Sequence, residues 1–128
     1  MAQLKAFIVE DSPVIRDNLI AALEEMVPMQ VVGTAEDEAG AMSWLNNPQH
    51  ECDIAIVDIF LRSGSGLGVL RALQAQTRRL ERVVLTNYAT DEIRRQCVAL
   101  GASRVFDKSS EIDALVEHCL SLAETRPS

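Results

Sequence analysis

The ten residues Leu4-Lys5-Ala6-Phe7-Ile8-Val9-Glu10-Asp11-Ser12-Pro13 hold the change of pattern that decides how this chain folds. The nearly continuous apolar run over Leu4–Val9 predicts a strand covered on both faces. It stops at two carboxylates, Glu10 and Asp11. Ser12-Pro13 then supplies helix-start chemistry: a hydroxyl to cap orphan amides, and a proline at the first helical position, where its missing N–H is no loss. A strand, an acidic pair and a helix start in such quick succession read as the opening of a βα unit.

Working outward, the same alternation recurs. Strand candidates at 30–35, 53–57, 82–86 and 104–106 are separated by stretches of helical period, which predicts an α/β fold with a five-stranded parallel sheet flanked by five helices. The first helix runs to about Val27, with Ile15, Leu19, Ala22, Leu23 and Met26 on one stripe facing the sheet, and Pro28 ends it. The second lies within 36–45, stops before Asn46-Asn47-Pro48, and places Trp44 in the core. The third spans about 66–75. The fourth follows Thr90 and is closed by Gly101 as a C-terminal cap. The fifth opens on a Ser110/Asp113 capping box, with Ile112, Leu115, Cys119 and Leu122 as its buried stripe. One domain over 1–123 is expected, with a frayed tail over 124–128.

Bulk properties narrow the function. Across 128 residues, 48% apolar and 24% charged composition suits a soluble domain with a packed core. A net charge of −7 argues against direct nucleic-acid binding, which needs clustered cations to neutralise phosphates. No membrane span or leader is legible near the N-terminus, so the expected location is cytoplasmic. Cys52, Cys97 and Cys119 lack metal-ligand or redox-pair spacing and read as buried thiols.

In an open parallel sheet, ligands bind at the carboxyl ends of the strands. Those ends carry Glu10 and Asp11, Asp58, Thr86 and, after the fifth strand, Lys108. Three carboxylates brought close repel one another by about 1 to 4 kcal/mol per pair, depending on the local dielectric. A divalent cation relieves that repulsion. An all-oxygen set with room for water suits Mg²⁺, and Mg²⁺ held this way implies phosphate chemistry.

Val9-Glu10-Asp11, Asp58, Gly66-Leu67, Leu85-Thr86, Gly101-Ala102 and Lys108 together resemble bacterial two-component response-regulator receiver domains, over about Leu4 to Ala123. The resemblance, closest to the stand-alone chemotaxis-regulator type, implies a flavodoxin-like sheet of order 2-1-3-4-5 and a signalling switch rather than an enzyme, with at most slow self-dephosphorylation. It implies that Asp58 accepts a phosphoryl group from a sensor histidine kinase or histidine phosphotransfer protein. Mg²⁺ is then held by Glu10, Asp11, Asp58 and the backbone carbonyl of Phe60, while Lys108 and Thr86 contact phosphoryl oxygens. Phe60 and Tyr88 are placed to control access of water. Output is expected at the face of the fourth helix, fifth strand and fifth helix, with Arg94, Arg95, Arg104 and Val105, toward a downstream protein or a second copy.

The chain departs from the family pattern at several points. Val105 stands where an aromatic switch residue is usual, and Phe106, one residue later, should point to the opposite face. Tyr88 is either its substitute or a surface loop aromatic. Ser109 replaces the usual proline after the lysine, so a trans bond or visible strain is expected there. Arg62 replaces another common proline, and Ser63, Gly64, Ser65 and Gly66 predict a loop mobile without ligand. Three other readings compete. A phosphoaspartyl phosphohydrolase commonly has a second Asp two residues after its nucleophile, where this chain has Phe60. A flavodoxin-like cofactor binder would be repelled by Glu10 and Asp11, and a scaffold without phosphate chemistry is disfavoured by the intact Asp58, Thr86 and Lys108.

Overall fold

Apolar strands need cover on both faces, and the chain supplies it by following each strand with a helix. The computed structural model describes residues 3–76 and 78–125. Its elements are β1 (Leu4–Val9), α1 (Pro13–Met26), β2 (Met29–Ala35), α2 (Glu38–Leu45), β3 (Ile54–Val57), α3 (Gly66–Ala75), β4 (Glu81–Thr86), α4 (Asp91–Ala99), β5 (Arg104–Asp107) and α5 (Ile112–Thr125). The strands pair in parallel in the order β2-β1-β3-β4-β5, as the family resemblance implied. No helix among the described residues is long and apolar enough to cross a membrane.

Strand alternation divides the core. Ala6 and Ile8 of β1, Ile54 and Ile56 of β3, Val83 and Leu85 of β4, and Phe106 of β5 pack with Leu19 and Leu23 of α1 and Leu115 and Cys119 of α5. On the other face, Phe7, Val9, Ala55 and Val57 meet Ala41 and Leu45 of α2 and Val69 and Leu73 of α3. Val84 and Val105 meet Leu70 of α3 and Cys97 of α4. Phe106 and Val105 therefore do point to opposite faces. All three cysteines are free and buried. Burial pushes the thiols of Cys52 and Cys97 up to about 11 and that of Cys119 up to about 12.

Four helices start on a capping side chain, Ser12 among them as expected, whereas the Ser110/Asp113 box expected at α5 is replaced by Ser110 bonding to Asp107. Ser12, Asp37, Ser65 and Thr90 cap α1, α2, α3 and α4, each accepting a backbone N–H of the first turn. Gly101 closes α4 with φ +98°. The turn before α5 is organised by Asp107 and Glu111: Ser109 N–H donates to Asp107 Oδ1 at 2.7 Å and Asp107 N–H to Glu111 Oε1 at 2.9 Å. These two carboxylates were not singled out in the sequence. No cis peptide bond occurs among the described residues, so the Lys108–Ser109 bond is trans.

Four expectations need correction. In α1, Ile15 and Met26 are exposed at 39% and 55%. The chain leaves helical geometry at Val27, which turns inward in place of Met26, while Ile15 lies at the rim of the sheet. Edge strand β2 is only half covered, with Val31, Val32 and Gly33 partly exposed. Trp44 is likewise partly exposed, stacked between Phe7 at 4.2 Å and His50 at 4.5 Å. Finally, α5 continues through Thr125, so Glu124 and Thr125 are helical, and 126–128 lie outside the described residues.

Phe106 is fully buried between the sheet and α5. Phe106→Ala should lower the unfolding free energy by about 3–5 kcal/mol in urea melts, and an unchanged midpoint would contradict the packing described.

Candidate functional site

The carboxyl ends of β1, β3, β4 and β5 form one edge, and backbone hydrogen bonds carry the sheet into the residues that follow. Glu10 N–H donates to Ala35 O at 2.9 Å, Asp58 N–H to Val9 O at 3.0 Å, and Lys108 N–H to Thr86 O at 2.9 Å. The side chains at this edge are thus fixed by the ladder itself. Glu10, Asp58 and Thr86 are the only buried polar or charged residues among those described, at 2%, 6% and 0% exposure.

Buried carboxylates require partners. Lys108 provides one: its Nζ donates to Asp58 Oδ2 at 2.7 Å and also to Glu10 Oε1. The other oxygens are held by main chain, Asp58 Oδ1 by Phe60 N–H at 3.2 Å and Glu10 Oε2 by Ser12 N–H at 3.0 Å. Burial alone would lower the Lys108 pKa, but hydrogen bonds to Asp58 and Glu10 outweigh it and raise the pKa above 10.5. The side chain stays an ammonium throughout the neutral range.

One oxygen each from Glu10, Asp11 and Asp58 lies within 4.8 Å of the others. Three carboxylates less one ammonium leave two uncompensated negative charges. Hard oxygen donors, that charge and an opening to solvent fit a divalent cation such as Mg²⁺ that keeps some of its water. The opening is a cleft of about 140 Å³ lined by these residues with Ser12, Ile15, Phe60, Thr86, Asn87, Tyr88 and Lys108. Phe60 and Tyr88 meet edge to face at 5.0 Å across its mouth, 47% and 61% exposed. Thr86 Oγ1 accepts from Tyr88 N–H at 3.3 Å, which leaves its hydroxyl proton available.

The structure brings together every expected site residue except Val105, which is buried against α4 and does not reach the cleft. The end of the loop expected to be mobile is hydrogen-bonded to α2 and paired with Phe60. Ser65 pairs with Phe60 and its N–H donates to Glu38 Oε1 at 2.9 Å. Gly66 packs so closely on Asp58 that a Cβ there would lie 2.1 Å from the Asp58 carbonyl oxygen.

Asn87 was not expected at the cleft, although it directly follows Thr86, and Arg94 lies beside β5 and α5 as expected but with a role the sequence did not disclose. That guanidinium is a clamp, donating to Ala89 O at 3.1 Å, Val105 O at 2.9 Å and Glu111 Oε1 at 2.8 Å. Arg94 holds Glu111 below the usual carboxylate range. Arg95 and Arg104 are exposed, Arg104 lying over the Phe106 ring at 4.9 Å.

The sequence model of the response regulator receiver domain matches residues 6–120. The DNA-binding transcriptional activator DevR/DosR of Mycobacterium tuberculosis is 33% identical over 100 residues, covering 78% of this chain and 45% of that protein. The chain spans about half the length of the curated relatives it matches. Among solved structures, the NarL signal receiver domain of Mycobacterium tuberculosis superposes with TM-score 0.85 at 23% identity, covering 98% of this chain and 100% of that one. The phosphorylated cyanobacterial phytochrome response regulator RcpA gives 0.75 at 23% identity, covering 96% and 93%.

Removing the ammonium strands two buried carboxylates, so Lys108→Met should destabilise the protein by about 3 kcal/mol in urea melts. A raised lysine pKa stabilises the fold fully below 10.5, and the effect is lost only as pH rises through the folded value. The difference between wild type and Lys108→Met should therefore be flat from about pH 7 to 9 and shrink above 10.5. A difference that fades below pH 9 would contradict the bridge.

Proposed function

Because the chain belongs to the response regulator receiver domain family, we propose that it is a phosphorylation-dependent signalling switch whose phosphoacceptor is Asp58. The observation that carries this reading is the Lys108 ammonium shared between Asp58 and Glu10 beside Asp11 in an open cleft. The donor is a phosphohistidine on a sensor histidine kinase or a histidine phosphotransfer protein. An Asp58 carboxylate oxygen forms the new bond to phosphorus as the phosphorus–nitrogen bond breaks and its electron pair returns to the donor imidazole. A carboxylate is a weak nucleophile, so the rate rests on in-line positioning and on charge already arranged around the transferring group.

The side chains support that arrangement. Lys108 exchanges its hold on Asp58 for a phosphoryl oxygen while Glu10 keeps it oriented. The Thr86 hydroxyl donates to a second oxygen. Glu10, Asp11, Asp58 and the Phe60 carbonyl would hold Mg²⁺, whose contribution is to neutralise charge on the phosphoryl oxygens. The Phe60–Tyr88 pair restricts water, so hydrolysis is slow and the chain is a regulator rather than an enzyme. The altered surface is the one built from α4, β5 and α5, facing a downstream protein or a second copy. Without an aromatic at Val105, Arg94 is suited to link the loop after Thr86 to β5 and the start of α5. The DNA binding in a relative's name is not carried over to a chain of net charge −7. A cytoplasmic location fits these partners.

Incubation with Mg²⁺ and a small acyl phosphodonor should add one phosphoryl mass to the intact protein and none to Asp58→Asn; no gain with any donor would overturn the reading. Phe60→Asn and Tyr88→Ala should each shorten the life of the phosphorylated form, and unchanged decay would remove the water-shielding role.

A further inference from the structure

We propose, resting on the reading of Asp58 as a metal-assisted phosphoacceptor, that Glu38 is a positioning residue that locks the loop after β3 and so sets the affinity of the site for a divalent cation. Glu38 lies in the first turn of α2, 20 residues before Asp58 in the sequence, and belongs to neither the acidic cluster nor the cleft lining. Its carboxylate reaches across to the start of α3, where Oε1 accepts the Ser65 N–H at 2.9 Å. Its own N–H donates to Ser63 O at 3.3 Å. Glu38 thus grips both sides of Gly64.

From Ser65 the constraint runs directly to the site. Ser65 pairs with Phe60, its hydroxyl donates to Ile59 O at 3.4 Å, and Gly66 N–H donates to the same oxygen at 3.0 Å. Phe60 N–H in turn holds Asp58 Oδ1. The orientation of the Phe60 peptide and of the Asp58 carboxylate therefore depends on where Ser65 is pinned. Two glycines make room for this contact. A Cβ at Gly64 would lie 2.5 Å from the Glu38 Cβ, and one at Gly68 would lie 2.4 Å from Glu38 Oε2. A surface helix cap needs no such slot, since α3 is already capped by the Ser65 hydroxyl on Leu67 N–H.

The test is Mg²⁺ titration of the whole chain by calorimetry, with thermal melts alongside. Glu38→Ala should weaken Mg²⁺ binding about tenfold, the size expected when an outer partner that orients ligands is lost. Glu38→Gln keeps an amide oxygen that can accept the Ser65 N–H and should stay within about threefold of wild type, separating lost charge from lost contact. Gly68→Ala is the sharper variant. It adds helix propensity in α3, which offsets part of the lost contact, so its melting point should fall less than that of Glu38→Ala, yet its methyl group displaces the Glu38 carboxylate and should weaken Mg²⁺ binding as much. Should Glu38→Ala fail to fold, Gly68→Ala decides alone. Wild-type Mg²⁺ affinity in Glu38→Ala and Gly68→Ala overturns the proposal while leaving the phosphoacceptor reading intact. No Mg²⁺ binding by the wild type overturns both.

Discussion

An ammonium group shared by two buried carboxylates holds the functional edge of this molecule together. Glu10 follows β1, Asp58 follows β3 and Lys108 follows β5, and their side chains meet only because a parallel sheet delivers all its carboxyl ends to one edge. Each backbone is pinned by a hydrogen bond that extends the ladder. Precision at the site thus comes from the sheet, and the loops inherit it. The same convergence creates an instability, because Asp11 adds a third carboxylate that Lys108 does not contact through any hydrogen bond. A fold that concentrates unbalanced negative charge is primed for a divalent cation and for a ligand that brings its own oxygens.

Around that edge the structure separates tasks by face. α1 and α5 cover one side of the sheet, while α2, α3 and α4 cover the other. The loop after β3 leans on α2 through Glu38, and the loop after β4 reaches β5 and the start of α5 through Arg94. Charged side chains therefore tie the loops of the site to elements that hold none of its ligands. Reversing a two-state switch from 1:99 to 99:1 takes about 5.5 kcal/mol of differential stabilisation. Several hydrogen bonds rearranged together are a more credible source of that energy than one exposed contact.

What the sequence disclosed follows from periodicity. The apolar runs of β1 and β3 are buried along nearly their whole length, and the end of each run marks a site residue. Local caps at Ser12, Asp37, Ser65 and Thr90 depend on neighbours three residues away or fewer and are recoverable from spacing, although Ser12 alone was expected as a cap. Periodicity misled where helices pass the edge of the core, as at Ile15 and Met26, because a regular stripe carries no information about where its cover stops. Glu38 and Arg94 were not legible as connectors. Their partners Ser65 and Glu111 lie 27 and 17 residues away, and a lone charge on a helix looks the same whether it faces water or a distant backbone amide.

The acidic cluster at this edge fits a divalent cation, and binding of one should be coupled to the fold. Urea unfolding at increasing Mg²⁺ reads out that coupling. At about a hundredfold excess over the dissociation constant, wild type should gain about 2.7 kcal/mol of stability, and Asp11→Asn should gain little or none. Identical stability with and without Mg²⁺ in the wild type would exclude a cation coupled to the fold.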